Sequence, residues 1–520
     1  MTTEVVLGVD IGTTATKVVA VDVGGAVHGS GRRAYPLEEP SPGQAVQDPT
    51  LIVAAVVDAV REVVAMLRSA GTTVAGVSFS SAMHSLMALD AADQPLTPLI
   101  IWADERAIEQ AERLRPTEQG RAIHQRTGTP IHPMSPLVKL IWFGESQPEV
   151  AARAARWVGI KEYVIANLCG AWVIDHSMAS GTGLMDIHIR RWDHAALELA
   201  GVDASQLSML APTTEVRTGL LAERAAAMGL DDATPLVIGA GDGPLANLGI
   251  GAVRPGVAAC SIGTSGAIRV AVDRPAVDEH GQVFCYELGS SRWVVGGAIN
   301  NGGVMLKWLQ ETIADSAAGE MAVLESAAEA PPGSGGLLML PYLFGERAPH
   351  WGALARGAYV GLTHAHRREH LLRAAVEGIC LQLAVVLDSV RAAGMEVHEV
   401  RATGGFAHSE FWRQLLTDAL GIDVHFPQGS EGSAVGAALL GLHALGRIAD
   451  LDSTADLIRV AEVRHPDADA AALYAELRPV YASLYDALAP ANSALHRLQV
   501  HGDRRTLGHA SVEKLEPPLD

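Results

Sequence analysis

The chain is short of cysteine and of positive charge. Its four cysteines, Cys169, Cys260, Cys285 and Cys380, are scattered through 520 residues with no CxxC spacing. That argues against a disulfide framework and against a cysteine-based zinc site. Lysine and arginine number 39 against 59 aspartates and glutamates, a formal net charge of −20. A surface so acidic argues against a duplex nucleic-acid partner and against an anionic membrane, since both need a basic face. No lysine or arginine run rescues either reading, though basic groups gathered inside a cleft stay compatible with it. No stretch of about 18 uncharged apolar residues occurs, and no basic-then-apolar leader opens the chain. The expectation is a cytoplasmic protein with neither signal nor span. The pattern G-x4-G-K-[ST] is missing as well, which excludes a P-loop. What is present is 53 glycines and 48% hydrophobic residues, in a length sufficient for two domains with large cores.

A repeat is visible once the glycines are used as punctuation. "IGTTATKVVAVD" (Ile11 to Asp22) and "IGTSGAIRVAVD" (Ile262 to Asp273) align without a gap. A helix pattern over Thr50 to Ala70 stops at Gly71 and leads into "VAGVSFSSAMH". Another over Glu369 to Ala393 stops at Gly394 and leads into "VHEVRATGGFAH". Two matches in the same order favour duplication over chance likeness of common β-turn-β and αβ units. The expected fold is α/β, with two like domains facing a cleft and each hairpin tip pointing into it. The copies differ at one telling place, where Asp10 corresponds to Ser261.

The tips suit phosphate. Turns rich in Gly, Thr and Ser expose consecutive N–H groups and hydroxyls without bulk. Asp10 beside the first tip would repel a phosphate, so it makes sense only with a bridging Mg²⁺ or its waters. Lys17 adds positive charge there or points to solvent. "VIGAGDGPLANLG" (Val237 to Gly249) superficially resembles a dinucleotide fingerprint. But Asp242 lies inside the loop and would oppose a pyrophosphate. Asp242 instead reads as an acceptor for a hydroxyl proton during phosphoryl transfer. The plainer role is an N-cap for a helix beginning near Pro244. Two phosphate-holding tips in the same chain favour the base.

These motifs, "DIGTT" (Asp10 to Thr14), "GAGDG" (Gly239 to Gly243), "SIGTSG" (Ser261 to Gly266) and "ATGGFAHSEFW" (Ala402 to Trp412), resemble those of the FGGY family of carbohydrate kinases. "MSPLVKLIWF" (Met134 to Phe143) resembles the family's first signature, with Ser146 departing at its last position. "GAYVGLTHAHRREHLLRAAVE" (Gly357 to Glu377) resembles the second. The resemblance spans roughly residues 4 to 485. It implies two duplicated RNase H-like domains of the actin/hexokinase/Hsp70-like kind, over residues 1–250 and 251–487; beyond them the composition of 488–520 reads as a polar, irregular tail. It implies ATP and Mg²⁺. Asp242 would be the general base. Gly12, Thr13, Thr14 and Lys17, with Gly263 and Thr264, would lie at the phosphates, and Gly404, Gly405, Phe406 and Ser409 at the nucleotide. Asp10 and Asp242 would face the metal. A homodimer is a family expectation.

For the sugar, "SSAMH" offers Ser81, Met83 and His84 at a strand end, where polyol hydroxyls need donors and acceptors. A lone His is more often structural; its place opposite the "TGG" ligand loop favours contact. "WADER" adds Asp104 and Arg106, either as substrate groups or as a local ion pair. "SFSSAMHSL", "IWADER", "QRTGTPIHPM" and "GIKEY" are similar to the gluconokinase branch of the family, with xylulokinase the alternative. A sugar acid needs a cation, and His132, Lys161 and Arg106 are the ones in those motifs. "HAHRREH" (His364 to His370) has metal-like spacing but reads as a helix start. The expected activity is ATP-dependent phosphorylation of a sugar or sugar acid on a primary hydroxyl. A non-catalytic sugar- or nucleotide-binding regulator on the same fold is the rival, opposed by the presence of Asp242.

Overall fold

Two mixed sheets frame the computed structural model, which describes residues 3–314, 319–429 and 432–512. The first is built on a meander. Strand β1 (Glu4–Ile11) is buried along nearly all its length, and β2 (Ala15–Asp22) returns antiparallel with Asp10 opposite Lys17. Strand β3 (Val27–Ala34) extends it. Helix α1 (Pro49–Ser69) follows. Asp48 caps it, its Oδ1 accepting the Thr50 N–H at 2.8 Å, and Pro49 fits the first turn, where no N–H is needed. Its apolar stripe of Ile52, Val56, Val60, Val63 and Leu67 is buried. Each such side chain contributes about 1.5–3 kcal/mol. Strand β4 (Thr73–Ser81) runs parallel to β1, and β5 (Leu236–Gly241) parallel to β4. A short edge strand, Val216–Arg217, completes six strands. Helix α2 (Asp242–Gly249) leaves directly from β5.

The second sheet repeats the plan. Strands β6 (Val257–Ile262) and β7 (Gly266–Val272) form the hairpin, followed by β8 (Phe284–Gly289) and β9 (Arg292–Ile299). Helix α3 (Arg368–Ala392) then leads to β10 (Glu399–Thr403), parallel to β6, and β11 (Val424–Pro427), parallel to β10. The strand order is β8-β9-β7-β6-β10-β11 with an edge strand, Val460–Arg464. Helix α4 (Gly432–Ala444) follows β11 as α2 follows β5. Hairpin, helix, two parallel strands and a helix therefore occur twice in the same order, as duplication predicts. Between the two copies the chain passes from α2 to β6 over residues 250–256.

Helix α4 does not cover its own sheet. It lies on β1, β2 and β4 of the first sheet and crosses α2. Val6, Val19 and Val21 share one apolar cluster with Leu245, Leu248, Ala434, Ala438 and Leu440. The backbones approach so closely that a Cβ at Gly436 would overlap the Leu245 carbonyl, and one at Gly249 the Gly432 carbonyl. A Cβ at Gly441 would stand 2.7 Å from both Ser78 and Val6.

Helix α3 is long and apolar enough to cross a membrane by length and composition alone, yet 89% of its most apolar window is buried inside the protein. It is the second domain's core helix. The four cysteines are free, three of them buried. In "HAHRREH" the His370 Nδ1 accepts the Arg367 N–H at 3.3 Å, so this histidine serves the helix start. The helix Ala468–Val512 carries the chain past Leu488, where the sequence suggests an irregular tail. Ala and Leu outweigh Pro490 over that stretch; residues 513–520 lie outside the described chain.

Candidate active site

The two hairpins and the two helix starts meet around a cavity of about 390 Å³. Thr13 reaches it from the first tip, and Ser261, Gly263 and Ser265 from the second. Gly404 at the end of β10 and Gly432 and Ser433 at the start of α4 complete this end. The first turn is held firmly. The Gly12 N–H donates to the Ala15 carbonyl at 3.1 Å, and the Tyr35 hydroxyl to the Gly12 carbonyl at 2.6 Å. Thr13 Oγ1 accepts the Trp102 indole N–H at 3.0 Å. Thr14 is exposed beside it. In the second tip the Thr264 carbonyl accepts the Gly302 N–H at 3.1 Å and the Gly263 carbonyl accepts that of Gly303, leaving Gly263 and Thr264 exposed. Gly404 sits at φ +123°, a conformation that only glycine adopts readily, and a Cβ there would overlap the Ile262 carbonyl.

Asp242 lies in the same cavity. Gly241, not Asp242, is the N-cap of α2, and Asp242 is the first helical residue, its Oδ1 accepting the Gly243 N–H at 2.7 Å. Burial pushes the Asp242 carboxyl above the usual range, and the Arg269 guanidinium, the Gly243 N–H and Arg347 draw it back. Below this loop, Lys161 Nζ pairs with Asp175 at 2.6 Å and donates to the Ala240 carbonyl at 2.9 Å, two residues before Asp242. The Gly241 N–H donates to Ser177 Oγ at 3.1 Å. Lys161 therefore holds the loop from beneath.

The same cavity is lined by Met83, His84, Trp102, Arg269, Phe284, Tyr286 and Arg347. His84 sits at φ +69° with its Nδ1 2.8 Å from the Gly181 carbonyl. A carbonyl only accepts, so Nδ1 carries the proton and Nε2 is left as an acceptor, 3.5 Å from the Tyr286 hydroxyl. Burial, with the Lys139 ammonium behind the ring, pushes His84 down to about 3. Lys139 donates to the His84 and Met134 carbonyls at 2.6 and 2.8 Å, and burial brings it down to about 7.

Other sequence candidates are placed elsewhere. Ser81 is fully buried with its hydroxyl 3.2 Å from the Ala82 carbonyl. Phe406 packs among Trp412 and Phe426, and Ser409 caps the helix Glu410–Leu420, while Gly405 is exposed. Asp10 accepts from Ser80 Oγ at 2.7 Å behind the first tip and faces Lys17 across the hairpin. Arg106 forks onto both oxygens of Asp104 at 2.8–3.0 Å and lies over the Trp142 ring, and Asp104 also accepts the Ala45 N–H. His132 is buried against Trp351, its Nδ1 accepting the Met134 N–H at 3.2 Å, and burial holds it neutral. Of the three cations proposed for a carboxylate, two are thus paired locally and one is uncharged, and none lines the cavity. The cations that do line it are Arg269 and Arg347. The signal for Arg269 was present in the repeat, where an arginine stands in an apolar strand at the place of Val18 in the first copy.

A family model described as the FGGY family of carbohydrate kinases, N-terminal domain, matches residues 5–249, and its C-terminal counterpart matches 258–445. Gluconokinase from Bacillus subtilis (strain 168) is 42% identical over 492 residues, 93% of this chain and 96% of the relative. Xylulose kinase from the same organism is 31% identical over 493 residues, 94% and 98% of the two chains. Two solved structures from Lactobacillus acidophilus, one described as gluconate kinase and one as ligand bound xylulose kinase, each superpose with a TM-score of 0.90. Each has 35% identity and covers 95% of this chain and 100% of the other. Family models over both halves and relatives aligned nearly end to end thus agree with the cleft built above: the chain belongs to the FGGY family of carbohydrate kinases.

Proposed function

We propose that this chain is a cytoplasmic kinase that transfers the γ-phosphoryl group of ATP to the primary hydroxyl of D-gluconate, giving 6-phospho-D-gluconate. The observation that carries the choice of substrate is the charge of the cavity, where among the described lining residues two arginines, Arg269 and Arg347, stand against one carboxylate, that of Asp242. An excess of fixed positive charge suits an acidic sugar, and the relative at 42% identity is a gluconokinase whereas the xylulose kinase stands at 31%. D-Xylulose, a neutral sugar, is the second reading.

In this scheme the backbone N–H groups of Thr13, Thr14 and Thr264 at the two tips receive the phosphates, those of Gly12 and Gly263 being taken up by the Ala15 and Ser265 carbonyls. The neutral His84 offers Nε2 as an acceptor for a sugar hydroxyl. Asp242 takes the proton of the primary hydroxyl as its oxygen bonds the γ-phosphorus. The bond from that phosphorus to the ADP bridging oxygen breaks, and its electron pair leaves with ADP. Closure of the two domains excludes water and aligns hydroxyl with phosphorus. FGGY kinases use ATP, generally with Mg²⁺. Among the described residues no three His, Cys, Asp or Glu side chains cluster as a metal cage. A phosphate-borne Mg²⁺ takes only one or two carboxylates, and Asp10 and Asp242 would hold it. When bound it neutralises phosphate charge. The test is an ADP-release assay with MgATP over gluconate, xylulose, glycerol, ribulose and fuculose. Turnover centred on gluconate is expected; preference for xylulose overturns the substrate, and no turnover on any of them overturns the kinase reading for this panel.

A further inference from the structure

Arg269 projects from β7 into the cavity, beside Gly243, where a Cβ would come within 3.2 Å of its Nε. Its Nη1 has neither solvent nor an acceptor, and among the described residues no group accepts a hydrogen bond from its guanidinium. Among the described residues no carboxylate, Asp242 included, lies within 4.0 Å of it, the distance of an ion pair. An arginine keeps its charge, so one half-buried in a cavity with no carboxylate partner is costly unless an anion completes it. Arg347 is engaged in part, although its Nε, like Arg269 Nη1, has neither solvent nor an acceptor. Its Nη2 donates to the Ile299 carbonyl at 2.9 Å and its guanidinium lies over the Trp102 ring at 5.0 Å.

Resting on the gluconate reading above, we infer that Arg269 is the specificity residue that receives the substrate's carboxylate. The guanidinium fork matches a carboxylate geometrically. An extended sugar acid has its carboxylate and its primary hydroxyl at opposite ends, and Arg269 shares the cavity with the base without forming an ion pair to it, so it is free to take the carboxylate. The neighbouring Tyr286 hydroxyl, facing His84, belongs to the hydroxyls of the chain between. The phosphates have their own donors at the tips, so the unsatisfied guanidinium is left for the sugar acid.

The test compares D-gluconate with D-glucitol, the same carbon chain carrying a hydroxymethyl group in place of the carboxylate. kcat/KM is measured for both in wild type, Arg269→Gln and Arg269→Lys, with calorimetric binding of a non-hydrolysable ATP analogue as the control for folding. In Arg269→Gln, kcat/KM for gluconate should fall about 100-fold or more, mostly through KM, and at least about tenfold further than kcat/KM for D-glucitol, which loses only the pull of Arg269 on the Asp242 carboxyl. Arg269→Lys, which keeps the charge and loses the fork, should fall between the two. Equal losses on both substrates would place Arg269 on the transferred phosphoryl group and overturn the assignment. So would an unchanged gluconate-to-glucitol ratio. Where Arg269→Gln does not bind the nucleotide analogue, the ratio in Arg269→Lys decides alone. A wild-type enzyme without preference for gluconate overturns both this assignment and the gluconate reading. A preference that survives in Arg269→Gln overturns this assignment only.

Discussion

Replacing Asp242 by Asn separates catalysis from folding with one atom. The amide oxygen can still accept the Gly243 N–H that Asp242 Oδ1 accepts at 2.7 Å, so the first turn of α2 keeps its bond. The substitution also removes a carboxylate that burial disfavours. Arg269 loses an attractive charge in the same step, but not a direct ion pair. These effects oppose each other, and the melting temperature should stay at or slightly above the wild-type value. Catalysis should not survive. Loss of a general base costs on the order of 100- to 10,000-fold in rate, or about 2.7–5.4 kcal/mol of transition-state stabilisation. Nucleotide affinity measured without Mg²⁺ should be unchanged, because the tips at Gly12–Thr14 and Gly263–Thr264 are untouched. The assay is ADP release at saturating gluconate, beside a thermal melt and calorimetry with a nucleotide analogue. Turnover within tenfold of wild type would remove Asp242 from the base role. A melting temperature lowered by many degrees would make it a structural residue of the helix start.

Other consequences can be measured on the same protein. His84 is held down to about 3, far below 6.5, so it stays uncharged from about pH 5 upward; kcat/KM should show no inflection near pH 6.5, and one that disappears in His84→Asn would refute the neutral ring. Lys161→Met leaves Asp175 buried without its cation and should destabilise by about 3–5 kcal/mol, read by chemical denaturation, with the double change Lys161→Met, Asp175→Leu recovering part of the loss. Gly436→Ala drives a methyl into the Leu245 carbonyl. Overpacking of about 1–3 kcal/mol should exceed the roughly 1 kcal/mol that alanine adds to a helix, and an equally or more stable variant would show that the crossing has slack.

What was legible in the sequence had local causes. The hairpins could be read because strand alternation and turn glycines lie within a dozen residues, and Asp242 because it stands alone among glycines. The Arg106–Asp104 pair was one of the two readings the sequence left open, whereas the role of Lys161 could not be read, since the fold decides where its carboxylate stands. Asp104 is two residues from Arg106, but Asp175 reaches Lys161 from the far end of a helix. Arg269 was hidden for the opposite reason: an arginine in a strand reads as solvent-facing until a second sheet is set against it. The helical run beyond Leu488 was obscured by Pro490 and by polar composition, neither of which stops a helix by itself.

The crossing of α2 with α4 bears on how this protein can be taken apart. Residues 1–250 look like a self-sufficient half, yet the face of β1, β2 and β4 that carries Val6 and Val19 is roofed by α4, which is made from residues 432–444. A gene split at the junction would yield an N-terminal fragment with an uncovered apolar sheet and a C-terminal fragment with an orphan helix rich in glycine and alanine. Each piece alone should aggregate, and the two expressed together should find one another, because the duplicated halves are interleaved rather than joined end to end.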